Sequence, residues 1–86
     1  MSESPLRIVL VDDEPLARAR ARRLLLELPG VIVVGEAGSV EEAVPLIDAL
    51  RPACVLLDVQ MPGEDGFTLL PRLTHRPAIV FATAYD

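Results

Sequence analysis

Four short apolar runs, separated by longer stretches of helical spacing, limit what this chain can fold into. The runs are Arg7–Val11, Val31–Glu36, Cys54–Leu57 and Ala78–Ala82. Each is too short for a stable helix and rich in Val, Ile or Leu, which predicts buried strands. Between them, apolar residues return every three or four positions, which predicts helices. Strands alternating with helices in the order βαβαβαβ imply right-handed crossovers and a parallel sheet covered on both faces. The expected class is α/β, a doubly wound parallel sheet.

The first helix is expected from Pro15 to Leu28, with Ala17, Ala21, Leu24 and Leu28 along its inner face. Asp13 or Glu14 can cap its start, and Pro15 suits the first turn, where its missing N–H costs nothing. Pro29-Gly30 ends it. Ser39 and Glu42 have the spacing of a capping box for the second helix, whose stripe is Val40, Ala43, Val44, Ile47 and Leu50. Pro45 lies inside this helix, where a lost hydrogen bond predicts a distorted first turn. Met61-Pro62-Gly63 reads as a loop. A third helix is expected from about Asp65 to Thr74, with Phe67, Leu70 and Leu73 inward and Pro71 weakening it. No repeat, low-complexity tract or linker interrupts the pattern, so residues 1–86 read as one domain.

Composition narrows the function classes. Hydrophobic residues are 51% of the 86, enough for a core, while aromatics are 3%, so the core must be aliphatic. A chain of this size buries only about 60–65% of its unfolded surface, which leaves a thin stability margin. The net charge of −5 argues against binding nucleic acid directly. All eight basic residues are arginine. The single cysteine, Cys54, excludes an internal disulfide and reads as an inert buried thiol. The N-terminus lacks signal-peptide character, and no apolar run approaches the ~18–20 residues needed to span a bilayer. A cytoplasmic setting with no membrane partner is expected.

Asp12 and Asp13 follow the first strand and Asp58 ends the third. Ligands of doubly wound sheets bind beyond the carboxyl ends of the strands, where strand order reverses. In a flavodoxin-like order, 2-1-3-4 for the strands present, the three carboxylates converge. Their mutual repulsion is relieved by a hard divalent cation, and oxygen ligands with room for water and phosphate suit Mg²⁺. Thr83, just past the fourth strand, offers a hydroxyl at the same edge. Together these groups have the equipment for phosphoryl transfer to a carboxylate. Separately each has a plainer reading: Asp13 as a helix cap, Asp58 as a turn former, Thr83 as a strand-end residue. The conjunction at three strand ends favours the functional reading.

Three segments carry a family resemblance. Val9-Leu10-Val11-Asp12-Asp13-Glu14-Pro15-Leu16-Ala17-Arg18 resembles the opening of response-regulator receiver domains, the CheY-like modules of two-component signalling. Leu56-Leu57-Asp58-Val59-Gln60-Met61-Pro62-Gly63-Glu64-Asp65-Gly66 resembles their phosphorylation-site segment. Phe81-Ala82-Thr83-Ala84-Tyr85-Asp86 is similar to the fourth-strand end in regulators with a LytTR-type DNA-binding output, and Asp-Glu-Pro-Leu-Ala-Arg points to the same subgroup. The resemblance implies that Asp58 accepts phosphate from a sensor histidine kinase. It implies that Asp13, Asp58 and the Gln60 backbone carbonyl ligate Mg²⁺, with Asp12 acting largely through water, and that Thr83 is the switch hydroxyl. It also implies that phosphorylation shifts the domain between two conformations, with autodephosphorylation its only other chemistry.

Receivers have five strands and five helices, so the chain is expected to be the N-terminal part of one, lacking the fourth helix, fifth strand, fifth helix and output domain. The family's lysine belongs to that absent strand. Its loss is expected to slow phosphorylation and uncouple it from switching. The fourth strand is expected to have an unpaired apolar edge that promotes homo-oligomers. Two other functions compete: a phosphorylation-incompetent receiver that only binds partners, and a Mg²⁺-dependent phosphohydrolase using an aspartyl nucleophile. The latter usually carries its nucleophile after the first strand in an Asp-x-Asp pattern, which these adjacent aspartates do not match. His75 reads as a surface residue, and the arginines at 18, 20, 22 and 23 as a solvated helix face.

Overall fold

The computed structural model describes residues 4–58, 60–61 and 64–82. Its elements are β1 (Leu6–Val11), α1 (Pro15–Leu26), β2 (Val31–Ala37), α2 (Val40–Leu50), β3 (Cys54–Asp58), β4 (Gln60–Met61), β5 (Glu64–Asp65), a 3-10 helix (Gly66–Arg72) and β6 (Ala78–Ala82). The main sheet is parallel, in the order β2-β1-β3-β6. With β6 as the fourth strand foreseen from sequence, this is the expected 2-1-3-4 order. The stretch expected as a loop around Met61 also contains a two-residue antiparallel pair, β4 with β5.

One face of the sheet carries the core. Val9, Val11, Val55 and Leu57 point toward α2 and the 3-10 helix, where they meet Val40, Ala43, Ile47, Leu69 and Leu73. Gly35 lets α2 approach β2 closely: a Cβ there would stand 2.9 Å from a Leu50 methyl group. The register between β1 and β2 shifts between Ile8 and Val9, so that Ile8 pairs Val33 but Val9 pairs Gly35. The extra residue sets the β2 alternation. Gly35 then faces α2 with Val9, and Glu36 faces α1 with Leu10.

Ser39 caps α2 as expected, accepting from the Glu42 N–H at 3.1 Å, but Glu42 returns its bond to the Gly38 N–H at 2.8 Å. Pro45 does not interrupt the helix, which runs unbroken from Val40 to Leu50. Both Glu41 and Pro45 are exposed, so water can serve the carbonyl that Pro45 leaves without a donor. At its other end, Arg51 adopts the left-handed conformation (φ 49°). Arg7 donates to the carbonyls of Leu50 at 2.8 Å and Arg51 at 3.3 Å.

Four expectations require correction. The α1 stripe is less buried than expected: Ala17 and Ala21 are half-buried, but Leu24 is 60% exposed in the groove beside the sheet, and Leu28, 52% exposed, lies past the helix end at Leu26; Arg18, Arg22 and Leu25 are half-buried too. Glu14 holds the α1 cap position, one of the two foreseen, though without a side-chain cap bond. The third helix is a 3-10 helix rather than an α-helix, because Pro71 lacks an N–H and its ring crowds the carbonyl four residues back. Leu69, not Leu70, is its fully buried residue, with Leu73 inward as expected. His75 is half-buried, its Nε2 2.6 Å from the Pro52 carbonyl oxygen. Asp48 accepts from the backbone N–H groups of Thr74 and His75, tying this turn to α2. The His75 N–H chiefly, then the Thr74 side chain, hold the Asp48 carboxyl below its usual value.

Candidate functional site

β1 and β3 are adjacent and parallel, so their carboxyl ends open at the same edge of the sheet. Asp12 leaves β1 there, Asp13 follows, and Asp58 is the last residue of β3. Each is half-buried, and the three offer carboxylate oxygens that all lie within 4.8 Å of one another. Sequence reasoning placed these three together, and the fold brings them together. Gln60 lies two residues beyond Asp58, its backbone paired with Asp65 in the β4–β5 hairpin. Thr83 lies outside the described residues.

Local bonding fixes the acidic loop. The Asp12 N–H donates to the Ala37 carbonyl at 3.0 Å, prolonging the β1–β2 pairing. Asp12 Oδ1 accepts from the Glu14 N–H at 2.9 Å. That tight turn leaves Pro15 to start α1. Burial pushes the Asp12 carboxyl above its ordinary 3.8; the Glu14 N–H pulls it down, Asp58 and Asp13 push it up, and Arg18 pulls it down. A groove of about 190 Å³ lies between α1 and the sheet, where Asp12 and Asp58 line the same space as Leu10, Leu56, Ala21 and Leu24. Carboxylates crowded beside apolar walls fit a small divalent cation, which supplies the opposite charge and accepts oxygen ligands. On the same helix side, burial pushes the half-buried Cys54 thiol up, which suits an inert thiol.

Arg18 and Arg22 do not form a solvated face. Arg18 Nε is 3.2 Å from Glu36 Oε1 and Arg22 Nε is 2.8 Å from Glu36 Oε2. The pairing was not visible in sequence because Glu36 reaches α1 only through the β2 register. It has a pH signature. Arg22 chiefly, together with Arg18, holds the Glu36 carboxyl below its ordinary 4.5. A carboxyl lowered on folding stabilises the fold above its unfolded value and loses that contribution as pH falls through the folded value. Glu36→Gln is therefore expected to cost about 1 kcal/mol at neutral pH and to flatten the loss of stability below pH 4.5, measured by urea unfolding across pH. An acid limb unchanged in the variant would contradict the assignment.

The sequence pattern of the response regulator receiver domain matches residues 8–86. The chain is 48% identical over 85 residues to the positive alginate biosynthesis regulatory protein of Pseudomonas aeruginosa. That alignment covers 94% of this chain and 34% of the relative. It is 43% identical over 84 residues to the sensory transduction protein LytT of Bacillus cereus, covering 94% and 34% respectively. The chain thus spans about a third of the length of these relatives. Among solved structures, a two-component response regulator of the LuxR family from an Aurantimonas species superposes with a TM-score of 0.86 at 34% identity, covering 96% of this chain and 61% of that one. A structure of the P1 domain of CheA3 in complex with CheY6 from R. sphaeroides matches with a TM-score of 0.83 at 29% identity, covering 96% and 67%. With its βα order, its 2-1-3-4 sheet and these similarities, the chain belongs to the response regulator receiver domain family of two-component signalling.

Proposed function

We propose that this chain accepts a phosphoryl group on Asp58 from a sensor histidine kinase and relays the change to a transcriptional output of LytTR type. The observation that carries the reading is the meeting of Asp12, Asp13 and Asp58 at the carboxyl ends of adjacent strands. The relatives support the output: one is called a biosynthesis regulatory protein, and others are called transcriptional regulatory proteins. The structure containing CheY6 and the P1 domain of CheA3 supports a kinase as phosphodonor. Among the described residues no helix is long and apolar enough to cross a membrane.

In this reading a carboxylate oxygen of Asp58 attacks the phosphorus of a phosphohistidine in line. The new O–P bond forms as the P–N bond breaks, and its electron pair returns to the imidazole. Water later cleaves the acyl phosphate and restores the carboxylate. Asp13, Asp58 and the Gln60 carbonyl would hold Mg²⁺, with Asp12 acting through water, and the ion would neutralise charge on the transferring oxygens. Thr83 would turn its hydroxyl toward the phosphoryl group. Intact mass after incubation with Mg²⁺ and a small acyl phosphate tests this. One phosphoryl group is expected, and a chelator should prevent its addition. A folded chain that gains no phosphate overturns the proposal in favour of a partner-binding receiver.

A second copy of the chain is the other partner in this reading. Among the described residues β6 pairs only with β3, and Val80 is 48% exposed. An apolar edge recruits strands, and a lysine on it opposes pairing. Sedimentation is expected to show mass rising with concentration, less so in Val80→Lys. A wild-type monomer at every concentration would count against this edge.

A further inference from the structure

We infer that Arg18 is the positioning residue for the acidic pair Asp12–Asp13, an inference that rests on the Mg²⁺ reading above. Arg18 Nη1 donates to the Asp12 carbonyl at 2.6 Å. That carbonyl belongs to the peptide unit joining Asp12 to Asp13. A peptide unit is planar, so fixing the direction of its carbonyl fixes both flanking Cα atoms and the origins of both carboxylates.

The guanidinium is itself held from several sides. Its Nε donates to Glu36 Oε1 on β2 at 3.2 Å, and its Nη1 lies 3.3 Å from where a Cβ on Gly38 would stand. Its side chain is only 21% exposed. Arg22 occupies the other Glu36 oxygen, which keeps that carboxylate aimed along α1. The acidic loop is therefore braced against β2 and α1 through one planar fork. A lysine cannot reproduce the brace, because a single ammonium is a point donor without the fork's fixed geometry.

Position and charge predict opposite signs. A cation near carboxylates weakens binding of a second cation, so removing the Arg18 charge alone would tighten Mg²⁺ binding. Loss of a group that orients ligands weakens metal binding, typically by 10–100-fold. Positioning predicts that Arg18→Lys and Arg18→Gln both bind Mg²⁺ about tenfold more weakly than the wild type. Arg22→Gln shares the Glu36 pairing but makes no bond to Asp12, so it should lose stability and keep its Mg²⁺ affinity.

The test is calorimetric titration of Mg²⁺ into the wild type, these three variants and Asp13→Asn, each shown to be folded by circular dichroism. Weakened binding in both Arg18 variants, with Arg22→Gln unchanged, is the expected result. Three outcomes overturn the inference: Arg18→Gln binding as tightly as wild type or tighter, Arg18→Lys matching wild type, or Arg22→Gln weakening to the same extent. If Arg18→Gln does not fold, Arg18→Lys against Arg22→Gln decides. A wild type that binds no Mg²⁺, or an Asp13→Asn variant that binds it equally well, overturns the metal reading and this inference with it. The Asp13 control thus separates the two failures.

Discussion

Asp58→Asn is expected to abolish the phosphate adduct completely while leaving the chain folded. The substitution replaces an anionic oxygen by an amide of the same shape, which removes the nucleophile. Asp58 closes β3, where its backbone pairs with Ala82, and an asparagine keeps that pairing. It also removes one of three crowded negative charges, so stability without Mg²⁺ should be unchanged or higher. Asp13→Asn makes the contrast, since it keeps the nucleophile and removes a metal ligand. It should slow the adduct and raise the Mg²⁺ needed, without moving the modified position. Intact mass followed by peptide mapping reads both. An adduct of equal yield on Asp58→Asn would place the phosphate elsewhere and remove Asp58 from its role.

The sheet order and the acidic cluster were legible for one physical reason. Strand runs and helical stripes have different periods, and a parallel crossover fold places every strand's carboxyl end on one side. Once Asp12, Asp13 and Asp58 are set at strand ends, their meeting follows from β1 lying beside β3. The α1 stripe was only partly right because spacing gives a helix face without saying how much of it is covered or where the helix stops. Ala17 and Ala21 belong to the inward side either way. Leu24 lines the open groove beside Ala21 and Leu28 lies past the end of α1, while Arg18, Arg22 and Leu25 are half-buried beside them. Arginine stems can cover apolar surface while their heads reach a carboxylate, so polarity alone misplaced them. Glu36 became their partner through a register shift in β1–β2 pairing, a long-range feature no local pattern carries. The 3-10 helix was missed for a different reason. A one-in-three spacing of leucines suits both helix types, and only packing and Pro71 decide between them.

Ile47→Ala is expected to destabilise the chain by about 3–4 kcal/mol, enough to threaten the fold. Ile47 sits on α2 against the sheet and is 0% exposed, within the cluster that joins Val9, Val55 and Leu57 to the helix. Truncation removes buried methyl groups and leaves a cavity that α2 cannot fill, because Gly35 already lets Leu46 and Leu50 lie against β2. Domains have roughly 0.05–0.15 kcal/mol of stability per residue, and a small one with limited burial belongs near the lower end. The loss is therefore a large share of the total. Leu26→Ala is the control: the side chain is 68% exposed, and its removal should cost no more than about 0.5 kcal/mol. Urea unfolding followed by circular dichroism gives both values. The midpoint should fall sharply for Ile47→Ala at an unchanged slope. Equal losses in the two variants would mean that the stabilising face is not the one α2 covers, and that α1 shields more apolar surface than its exposed leucines indicate.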